Sequence, residues 1–296
     1  MELNKIHNIN FLENTLPDKC ANLIIADPPY FEVKGDFDFV WKDMKEYLLD
    51  VEKWAKECKR LLADNGTLFW YGDAKKIAYS QVILDEYFTL ENNIAIEFNR
   101  QTKKGVETFN CFAPVSERLL MYSSKDYYNR IREILKSRRN EKGYTIKQVA
   151  EKMGVYSALY GFYEQNNTGS QMPTKKQFDK IKEILGFEMD YYEVARYFNN
   201  YLKLYDIMNF DQEAHITGNY DHDTCKPETL TRALILTCSR PNDLVVVPFA
   251  GSGTECAMAV KEGRKTIGFE ITEKHAKMSN ERVQNILRQP SLFVGS

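Results

Sequence analysis

The sequence predicts an α/β fold in which a mainly parallel sheet is interrupted by an all-α segment. Short apolar runs alternate with segments of helical periodicity up to residue 124 and again after residue 243. This alternation is typical of a parallel sheet with helices on both faces. From residue 128 to residue 185 the pattern indicates helices only. We therefore predict a sheet domain formed by residues 1–124 and 191–296, with a helical insert at residues 125–190.

The first half of the predicted sheet is built from short apolar runs. Strands are predicted at residues 5–9, 23–26, 67–71, 94–98 and 118–123, and helices at residues 41–62 and 77–87. The stretch from residue 31 to residue 39 is polar and has no periodicity. We expect this stretch to form a mobile loop over a site at the end of the second strand.

The insert is predicted to contain four helices, at residues 128–139, 146–153, 158–165 and 175–185. Thr145, Ser157 and Thr174 are expected to cap N-termini, because a hydroxyl in front of a helix satisfies a free backbone amide. Gly154 and Gly186 are expected to end the helices that precede them. A further helix is predicted at residues 191–208, leading back to the sheet domain.

The charge of the insert differs from that of the rest of the chain. The whole protein has 40 Lys and Arg against 42 Asp and Glu, a net charge of −2. Residues 125–186 hold 13 Lys and Arg against 7 Asp and Glu, a net of +6, so the remainder holds 27 against 35, a net of −8. A basic segment in an acidic protein indicates local anion binding, most often of nucleic acid. A solvated helical surface is the alternative interpretation.

The middle two predicted helices of the insert are separated by a glycine turn, as in a DNA-binding helix-turn-helix. Their sequence, TIKQVAEKMGVYSALYGFYEQ, resembles the Cro/repressor-type family. The resemblance implies a recognition helix on or near which lie Tyr156, Ser157, Ala158, Tyr160, Gly161 and Gln165. Ser157 and Gln165 have side chains that can hydrogen-bond to a base edge or a phosphate. The other candidate DNA contacts are four basic residues in predicted loops: Lys34, Arg100, Lys103 and Lys104. A small helical insertion without a DNA role is the alternative.

Several classes of protein are not indicated. The six cysteines are scattered without a CxxC pair and the four histidines are isolated, so neither a zinc site nor a disulfide framework is predicted. The start of the chain has no apolar segment typical of a secretory signal. No run approaches the roughly 18 apolar residues of a membrane span. We expect a reduced, cytoplasmic setting.

Residues 243–270 are predicted to form half of a Rossmann unit: strand, glycine loop, helix, strand and terminal acid. Gly251 and Gly253 allow the backbone to approach a ligand, with the N-terminus of the following helix pointing at it. Glu270 ends the second strand, where an acid accepts hydrogen bonds from ribose hydroxyls. Because the loop is GxG rather than GxGxxG, a nucleoside-bearing cofactor such as S-adenosylmethionine fits better than a dinucleotide. A glycine turn that serves only helix–strand packing is the alternative.

The sequence ANLIIADPPY ends a predicted buried strand with an acid. Pro28 and Pro29 cannot continue a sheet ladder, so Asp27 is placed at a strand's carboxyl end, where α/β sheets bind ligands. Methylation of the exocyclic amine of adenine needs acceptors for both N–H groups, because the nitrogen lone pair is conjugated into the ring. The Asp27 carboxylate and the Pro28 carbonyl can be these acceptors, and Tyr30 can stack on a base extruded from the duplex. A strand-terminating turn is the alternative.

Four segments together carry a resemblance that covers residues 5–124 and 215–285: LPDKCANLIIADPPY, RLLADNGTLFWYGD, HDTCKP and PFAGSGT. At these segments the chain resembles the permuted amino-methyltransferases of DNA, the beta class of adenine-N6 enzymes. The resemblance implies a Rossmann-like, S-adenosylmethionine-dependent methyltransferase fold and a target-recognition region where the insert lies. It implies catalytic roles for Asp27, Pro28, Pro29 and Tyr30. It assigns these residues to the cofactor, with Lys226 near its methionine end: Asn8, Lys226, Pro248, Phe249, Gly251, Ser252, Gly253, Thr254 and Glu270.

The chain departs from this family at two acidic positions. Val247 stands where the family usually has Asp before the PFAGSGT segment. Asn8 or Asn10 stands where an acid near the first strand would contact the cofactor's adenine. Each change removes a negative charge beside a cationic cofactor, so we predict a weaker affinity for the cofactor than in an Asp-bearing relative.

The predicted function is a sequence-specific DNA methyltransferase. It transfers a methyl group from S-adenosylmethionine to the N6 amine of a flipped-out adenine in double-stranded DNA, without a metal. By resemblance, DPPY rather than SPPY favours adenine. The alternatives are a cytosine-N4 DNA methyltransferase, a DNA-binding regulator with a methyltransferase-like fold, and a methyltransferase of RNA or of a protein glutamine. A homodimer and a place in a restriction-modification system are left open.

Overall fold

The computed structural model describes residues 1–33, 40–98, 115–165, 171–210 and 226–288. Within these ranges an eight-stranded sheet carries helices on both faces, and a group of helices follows the fifth strand. The strands are β1 (Lys5–His7), β2 (Ala21–Ala26), β3 (Leu62–Gly72), β4 (Phe88–Phe98), β5 (Ser116–Ser124), β6 (Ile207–Phe210), β7 (Leu244–Val247) and β8 (Lys265–Phe269). The helices are α1 (Met44–Leu61), α2 (Ile77–Tyr87), α3 (Tyr127–Glu141), α4 (Ile146–Met153), α5 (Ser157–Glu164), α6 (Lys175–Leu185), α7 (Glu228–Cys238), α8 (Thr254–Lys261) and α9 (Glu273–Arg288).

The strands have the order β1-β8-β7-β2-β3-β5-β4-β6. Neighbouring strands run parallel except at β5, which is antiparallel to both β3 and β4. The prediction of a mainly parallel sheet is therefore confirmed, with one reversed strand. β4 and β5 follow each other in the chain, and consecutive strands commonly pair in the antiparallel sense.

The side chains of β2 alternate between two hydrophobic cores. Leu23 and Ile25 pack on the face covered by α7, α8 and α9. Ile24 and Ala26 pack on the face covered by α1 and α2. Successive side chains of a strand point to opposite faces, so a continuous apolar run is what a strand covered on both faces requires. The first polar side chain after this run is Asp27, which follows the last residue of β2.

Helix α1 begins three residues later than the predicted start at residue 41 because of a side-chain cap. The Asp43 carboxylate accepts a hydrogen bond from the Glu46 amide at 2.9 Å, which satisfies one of the free donors of the first turn. The apolar spacing then turns Val51, Trp54 and Cys58 toward the sheet, where they are buried. Burial of this helical face fixes α1 on the side of the sheet that carries Ile24.

Helices α3 to α6 form a separate core within the insert. Thr145 and Thr174 each form a capping box with the glutamine three residues later, and Gly154 and Gly186 end their helices in the left-handed conformation. These four predictions of helix ends are confirmed. The buried apolar side chains of this core include Ile131, Leu135, Val149, Met153, Tyr160, Tyr163, Phe178, Ile181 and Leu185.

Two predictions for α5 are wrong. Ser157 is the first residue of the helix rather than its cap; Tyr156 is the N-cap and makes no side-chain capping bond. Tyr160 has no exposed surface, and its ring lies 6.1 Å from that of Tyr163 inside the insert core. Tyr160 therefore stabilises the insert and is not on a surface that DNA could reach. The apolar body of a tyrosine makes it a core residue as readily as a contact residue.

The predicted helix at residues 191–208 is also wrong. A single 3-10 turn spans Tyr191–Glu193, and the segment ends in β6, which pairs parallel with β4. Asn200 explains part of the difference, because its side chain exchanges two hydrogen bonds with the backbone of Leu204 at 2.7 and 2.8 Å. Such side-chain bonds offer the backbone an alternative to helical hydrogen bonds.

Several polar contacts join the insert to the sheet domain. The Tyr127 hydroxyl accepts a hydrogen bond from the Arg196 amide at 3.1 Å, and the Lys59 ammonium lies 2.5 Å from the Asp126 carboxylate. Just after the insert, the carbonyl of Ala195 accepts a hydrogen bond from the Asn65 side chain of β3 at 3.3 Å. Both ends of the insert are therefore held against the sheet domain.

Some predictions lie outside the described residues. These include the loop beyond residue 33, the basic residues Lys34, Arg100, Lys103 and Lys104, and most of the HDTCKP segment. Across the described ranges, no helix has the length and apolar character needed to cross a bilayer. The same ranges hold no group of three His, Cys, Asp or Glu side chains that suits a metal ion.

Candidate active site

The predicted acid and the predicted glycine loop meet at one edge of the sheet. Strands β2 and β7 are parallel neighbours, with Leu23 opposite Val245 and Ile24 opposite Val246. Asp27 follows β2, and residues 248–253 follow β7, so both segments leave the sheet at the same carboxyl edge. The chain continues from β2 to β3 on one side and from β7 to β8 on the other. This is a topological switch point, where α/β sheets open a crevice for a ligand.

The Asp27 carboxylate is held through one of its two oxygens. The Tyr30 hydroxyl donates a hydrogen bond of 2.6 Å to Oδ1, and the Lys226 ammonium lies 3.2 Å from the same atom. Among the described residues, no hydrogen bond or ion pair involves Oδ2. The Asp27 side chain is 26% exposed, so its carboxylate is partly open to the crevice. The arrangement fixes the direction of the carboxylate and leaves Oδ2 able to accept a hydrogen bond.

Lys226 lies in a cage of acids and aromatic rings. Besides Asp27, its ammonium contacts Glu117 of β5 at 2.8 Å and the Tyr30 hydroxyl at 3.2 Å. The same nitrogen lies 5.5 Å from the centre of the Tyr30 ring and 4.6 Å from that of Tyr71, within cation–π range. The sequence resemblance implies a position for Lys226 near the methionine end of a cofactor. The structure places it directly against the predicted catalytic carboxylate.

The buried charges perturb one another. Burial raises the pKa of Asp27, and the nearby Lys226 ammonium offsets part of this effect. Burial alone would lower the pKa of Lys226, but the Asp27 and Glu117 carboxylates raise it overall. The Tyr30 hydroxyl has a pKa well above its usual value because it is buried and lies beside Asp27. Lys226 and Tyr30 therefore stay protonated and donate to Asp27 over the physiological pH range.

The glycine loop is shaped by close backbone contacts. The Gly251 amide donates to Oε2 of Glu270 at 2.9 Å, and the Gly251 carbonyl accepts from the Ser279 hydroxyl at 2.6 Å. Gly253 has a φ of +74°, which favours glycine, and a Cβ on it would lie 2.7 Å from the Cβ of Ser279. The loop needs glycine at position 253 for both reasons.

Helix α9 braces the loop with a buried arginine. One nitrogen of the Arg282 guanidinium donates to the Ser252 carbonyl at 3.3 Å and to the Thr254 hydroxyl at 2.8 Å. A second nitrogen bonds to the Glu228 carboxylate of α7 at 2.6 Å. Ser252 and Thr254 are themselves buried, and their hydroxyls lie 3.1 Å apart. The two hydroxyls predicted to contact a cofactor therefore hold the loop in shape.

Other predicted cofactor residues surround this loop. Asn8 is exposed, and its amide donates to the carbonyls of Glu270 and Ile271 at 2.8 and 3.0 Å. Phe249 is partly exposed and packs edge-on against Trp54, with ring centres 5.0 Å apart. Pro248 and Val247 are buried, and Val247 belongs to the hydrophobic core beneath the loop. The structure thus gathers the predicted cofactor residues into one region at the ends of β7 and β8, apart from Lys226.

Glu255 is a buried acid directly after the glycine loop that the sequence motifs do not predict as part of the site. Glu255 lies in the first turn of α8 and is 5% exposed. Burial, and then the charge of Asp27, raise its pKa to about 7. A carboxylate in the first helical turn usually interacts favourably with the helix dipole. The sequence therefore gives no sign that Glu255 is buried beside the site.

Three further residues of the site were missed. Glu117 and Tyr71 come from β5 and β3, and Arg282 comes from α9. Glu117 is a single acid at the start of a strand and Arg282 is one of many charged residues in a helix, so neither carried a motif. Tyr71 ended a predicted strand, and an aromatic residue there is typical of a core. Only their proximity to Asp27 or the glycine loop in the folded chain identifies these three residues as part of the site.

The predicted DNA contacts that the structure describes lie on α5 and its ends. Tyr156 is 88% exposed, and Ser157 is exposed beside it. A Cβ on Gly161 would meet open space, so this helical face has room for an approaching partner. Gln165 follows the helix and is half-buried. Tyr160, as described above, faces the core.

The site suits a positively charged nucleoside cofactor. Glu270 offers a carboxylate at the end of β8, and Gly251 and Gly253 bring the backbone to the crevice surface. The Tyr71 hydroxyl is buried and has no hydrogen-bond partner within the described ranges, so a polar ligand would satisfy it. The acids Asp27, Glu117 and Glu255 outnumber the Lys226 cation that they surround, which favours a cationic ligand such as S-adenosylmethionine.

Known proteins are similar to this chain in sequence. Residues 21–281 match the N6_N4_Mtase family, described as DNA methylase. The chain is 26% identical over 275 residues to the DNA adenine methyltransferase YhdJ of Escherichia coli, covering 90% of this chain and 78% of YhdJ. It is 28% identical over 295 residues to the type II methyltransferase M.HinfI of Haemophilus influenzae, covering 94% of this chain and 67% of M.HinfI.

A solved structure shares the fold. The Thermus thermophilus protein TTHA0409, complexed with S-adenosyl-L-methionine, aligns with a TM-score of 0.57 at 18% identity, covering 96% of this chain and 94% of that one. The mixed sheet is thus the fold of that S-adenosyl-L-methionine-bound protein. Taken with the family match over residues 21–281, S-adenosylmethionine is the cofactor. Since the family match spans most of the sequence, the chain belongs to the DNA methylase family, whose members methylate DNA.

Proposed function

We propose that the chain methylates the N6 amine of adenine in double-stranded DNA, with Asp27, Pro28, Pro29 and Tyr30 as its catalytic segment. The observation that carries the proposal is the convergence of Asp27 and the glycine loop at the ends of two neighbouring parallel strands. The relatives YhdJ and M.HinfI support the methylation of DNA, and YhdJ is named as an adenine methyltransferase.

The chemistry requires acceptors for the amino group of the base. The nitrogen lone pair forms the new bond to carbon, so it must be drawn out of conjugation with the ring while positive charge develops on nitrogen. Oδ2 of Asp27 accepts one N–H and the Pro28 carbonyl accepts the other, and both stabilise that charge. Tyr30 and Lys226 hold Oδ1 and so orient the carboxylate before the base arrives. S-adenosylmethionine would supply the methyl group from its sulfonium, whose S–C bond breaks with the electron pair left on sulfur, and the methylated amine would then lose one proton to solvent.

The residues around the glycine loop hold this cofactor in the proposal. Glu270 accepts hydrogen bonds from the ribose, Phe249 offers an aromatic face, and Asn8 borders the same crevice. Gly251 and Gly253 supply backbone close to the ligand, while Ser252, Thr254 and Pro248 keep the loop in shape. Lys226 belongs to the catalytic segment as much as to the cofactor, since it contacts Asp27.

The order of these segments supports assignment to the permuted beta class. The catalytic segment at residues 27–30 precedes the glycine loop at residues 251–253 in the chain, although the two are neighbours in the sheet. In this assignment residues 1–124 and 191–296 form the catalytic domain, and residues 125–190 form a domain that selects the target.

The insert reads DNA through a helix-turn-helix in this proposal. Helices α4 and α5 are separated by a short turn in which Gly154 is left-handed, and the exposed face of α5 presents Tyr156, Ser157 and Gly161. The net charge of +6 over residues 125–186 favours a phosphate backbone as partner. The side chains on α5 would then contact base edges or phosphates in the major groove.

A methyl-transfer assay tests the proposal. The protein is incubated with radiolabelled S-adenosylmethionine and duplex DNA, and the modified bases are separated after digestion. We expect N6-methyladenine with the wild type and none with Asp27→Ala. Label recovered as N4-methylcytosine would show that the substrate is cytosine and not adenine, in line with the N4 activity in the family name. Label in neither base, with the protein still bound to DNA, would favour a regulator with a methyltransferase fold.

Assembly and setting are part of the same proposal. The chain works on DNA in the cytoplasm, and a homodimer is open to a direct test by light scattering with and without duplex DNA. One mass at the monomer value under both conditions would exclude the dimer.

A further inference from the structure

One feature of the site is not explained by the proposed catalytic segment: a buried cation is shared by two carboxylates. The Lys226 side chain is 8% exposed, and its ammonium contacts Glu117 at 2.8 Å and Asp27 at 3.2 Å. The shorter contact is with Glu117, although Asp27 is the predicted catalytic residue. The Tyr30 hydroxyl, at 3.2 Å, is the third partner of the ammonium.

The sharing leaves the cage with a net negative charge. Two carboxylates and one ammonium sum to −1, and Glu255 adds a further ionisable acid beside them. If Lys226 paired with Asp27 alone, its charge would cancel that of Asp27 and its hydrogens would compete for the acceptor oxygens. A base amine developing positive charge would then meet a neutral pair instead of an anion.

Glu117 is well placed to prevent this pairing. Glu117 lies on the central strand β5, opposite Ile96 of β4. The sheet, and not a loop, therefore sets its position. Its side chain is 27% exposed, similar to that of Asp27, and one oxygen points at the ammonium. The rings of Tyr30 and Tyr71 confine Lys226 between the two acids.

We infer that Glu117 is a positioning residue for methyl transfer, which holds Lys226 so that its charge is shared between two carboxylates and Oδ2 of Asp27 stays free for the amine of the base. The inference rests on the proposed catalytic role of Asp27. Glu117 acts through Lys226, which donates to Oδ1 of Asp27 without taking over Oδ2. Removal of the Glu117 charge lets Lys226 move onto Asp27 and compete with the base.

The first test compares Glu117→Gln with two variants. Glu117→Asp keeps the charge, and Glu97→Gln removes an exposed carboxylate from the neighbouring strand at a position paired with Ser116. We expect kcat to fall about 10- to 100-fold in Glu117→Gln, as when a residue that orients a functional group is removed. Glu117→Asp should recover part of this loss, and Glu97→Gln should keep wild-type kcat. Binding of duplex DNA should stay within about twofold in all three, which shows that they are folded. S-adenosylmethionine is kept at saturation, so that a weaker affinity after loss of the Glu117 charge does not lower the kcat measured.

The pH profile separates positioning from a merely structural role. The groups that face Asp27 are Tyr30 beside it, Tyr71 of β3, Glu117 of β5, Lys226 before α7 and Glu255 of α8. Of these, the Glu117 charge disfavours ionisation of Asp27. The acid limb of kcat/KM should therefore move to lower pH in Glu117→Gln, although the plateau falls. A loose or misfolded site would lower the plateau without moving the limb in this direction.

A double-mutant cycle decides whether Glu117 acts through Lys226. In a Lys226→Met background, Glu117→Gln should change kcat by less than about threefold, because the cation that it positions is gone. An equal loss in both backgrounds would overturn the inference, and so would wild-type kcat in Glu117→Gln. Asp27→Asn is measured alongside: if that variant is active, the proposed role of Asp27 fails. An inactive Asp27→Asn with a fully active Glu117→Gln refutes the inference alone.

Discussion

Gly253 packs against Ser279 so closely that a Cβ at position 253 would lie 2.7 Å from the Ser279 Cβ and 3.0 Å from its Cα. Gly253 is also left-handed, with a φ of +74°. Gly263, at the end of the same helix, has nearly the same φ of +77°, but a Cβ there would meet open space. The two glycines therefore separate backbone strain from steric crowding at the loop that is proposed to hold the cofactor.

We expect Gly253→Ala to lose more stability than Gly263→Ala. Gly263→Ala should lower the free energy of unfolding by about 1 kcal/mol, the cost of a left-handed alanine. Gly253→Ala adds the crowding against Ser279 and should lose about 2–4 kcal/mol. Denaturant unfolding measures both, and calorimetry should show weakened binding of S-adenosylmethionine only in Gly253→Ala. Equal losses in the two variants would show that crowding at Ser279 is relieved by movement of α9.

Glu255 predicts a pH-dependent stability. Its pKa is raised from 4.5 to about 7 in the folded protein, first by burial and then by Asp27. Between these values the folded state binds more protons than the unfolded chain, so the free energy of unfolding falls as the pH rises. The loss is on the order of 3 kcal/mol when the window has been crossed.

Glu255→Gln should remove this part of the slope and be the more stable protein at pH 8. Denaturant unfolding at pH 5 and pH 8 measures the difference between wild type and variant. Glu273→Gln, which changes an exposed acid of α9, is the matched control and should keep the wild-type slope. The same slope in wild type and Glu255→Gln would mean that Glu255 does not titrate in this window.

Val247 tests whether a missing acid weakens cofactor binding. Its side chain is 1% exposed in the core beneath the glycine loop. In the proposed cofactor site, Val247→Asp places a negative charge beneath the loop that would hold a cationic cofactor, and the variant should bind S-adenosylmethionine more tightly than the wild type. Val247→Asn introduces a side chain of nearly the same shape as Asp but without its charge, so this variant should not bind S-adenosylmethionine more tightly. Calorimetric titration decides the matter, and unchanged or weaker binding in Val247→Asp contradicts the prediction.

Ser157 offers a test of the insert that spares its fold. Ser157 is the exposed first residue of α5, where an aspartate favours the helix dipole. Ser157→Asp should therefore fold normally but repel phosphates, lowering DNA affinity about tenfold or more while binding of S-adenosylmethionine is unchanged. Ser137→Asp adds the same charge to an exposed position of α3 as a control. Equal DNA affinity for the two variants would place target reading outside α5.

Local signals in the sequence predicted much of this molecule. The apolar run before Asp27, the two prolines after it and the glycines at 251 and 253 each dictate a backbone conformation within a few residues. The threonine caps and glycine ends of α4 and α6 are equally local, and all four are found as predicted. Such features can be predicted without knowledge of the fold because proline restricts its own backbone and a left-handed turn favours glycine.

Other predictions failed because packing outweighs local preference. Tyr160 is of a residue type that often contacts DNA, but its ring packs in the insert core and is fully buried. The segment 191–208 has apolar residues at helical spacing, yet its end pairs with β4 as strand β6. The free energy gained by extending a sheet belongs to the pair of strands and is absent from either sequence taken alone.

The sequence by itself determined that a strand ends in an acid, that a glycine loop follows another strand, and that a helical insert lies between them. Only the tertiary structure decided that these two strands are neighbours, and that Lys226 meets Asp27 and Glu117, which are far from it in the chain. Motifs record what a few adjacent residues do to their own backbone. A buried ion pair depends on which strands the whole sheet brings together, because only that burial removes the charges from water and makes their pairing necessary.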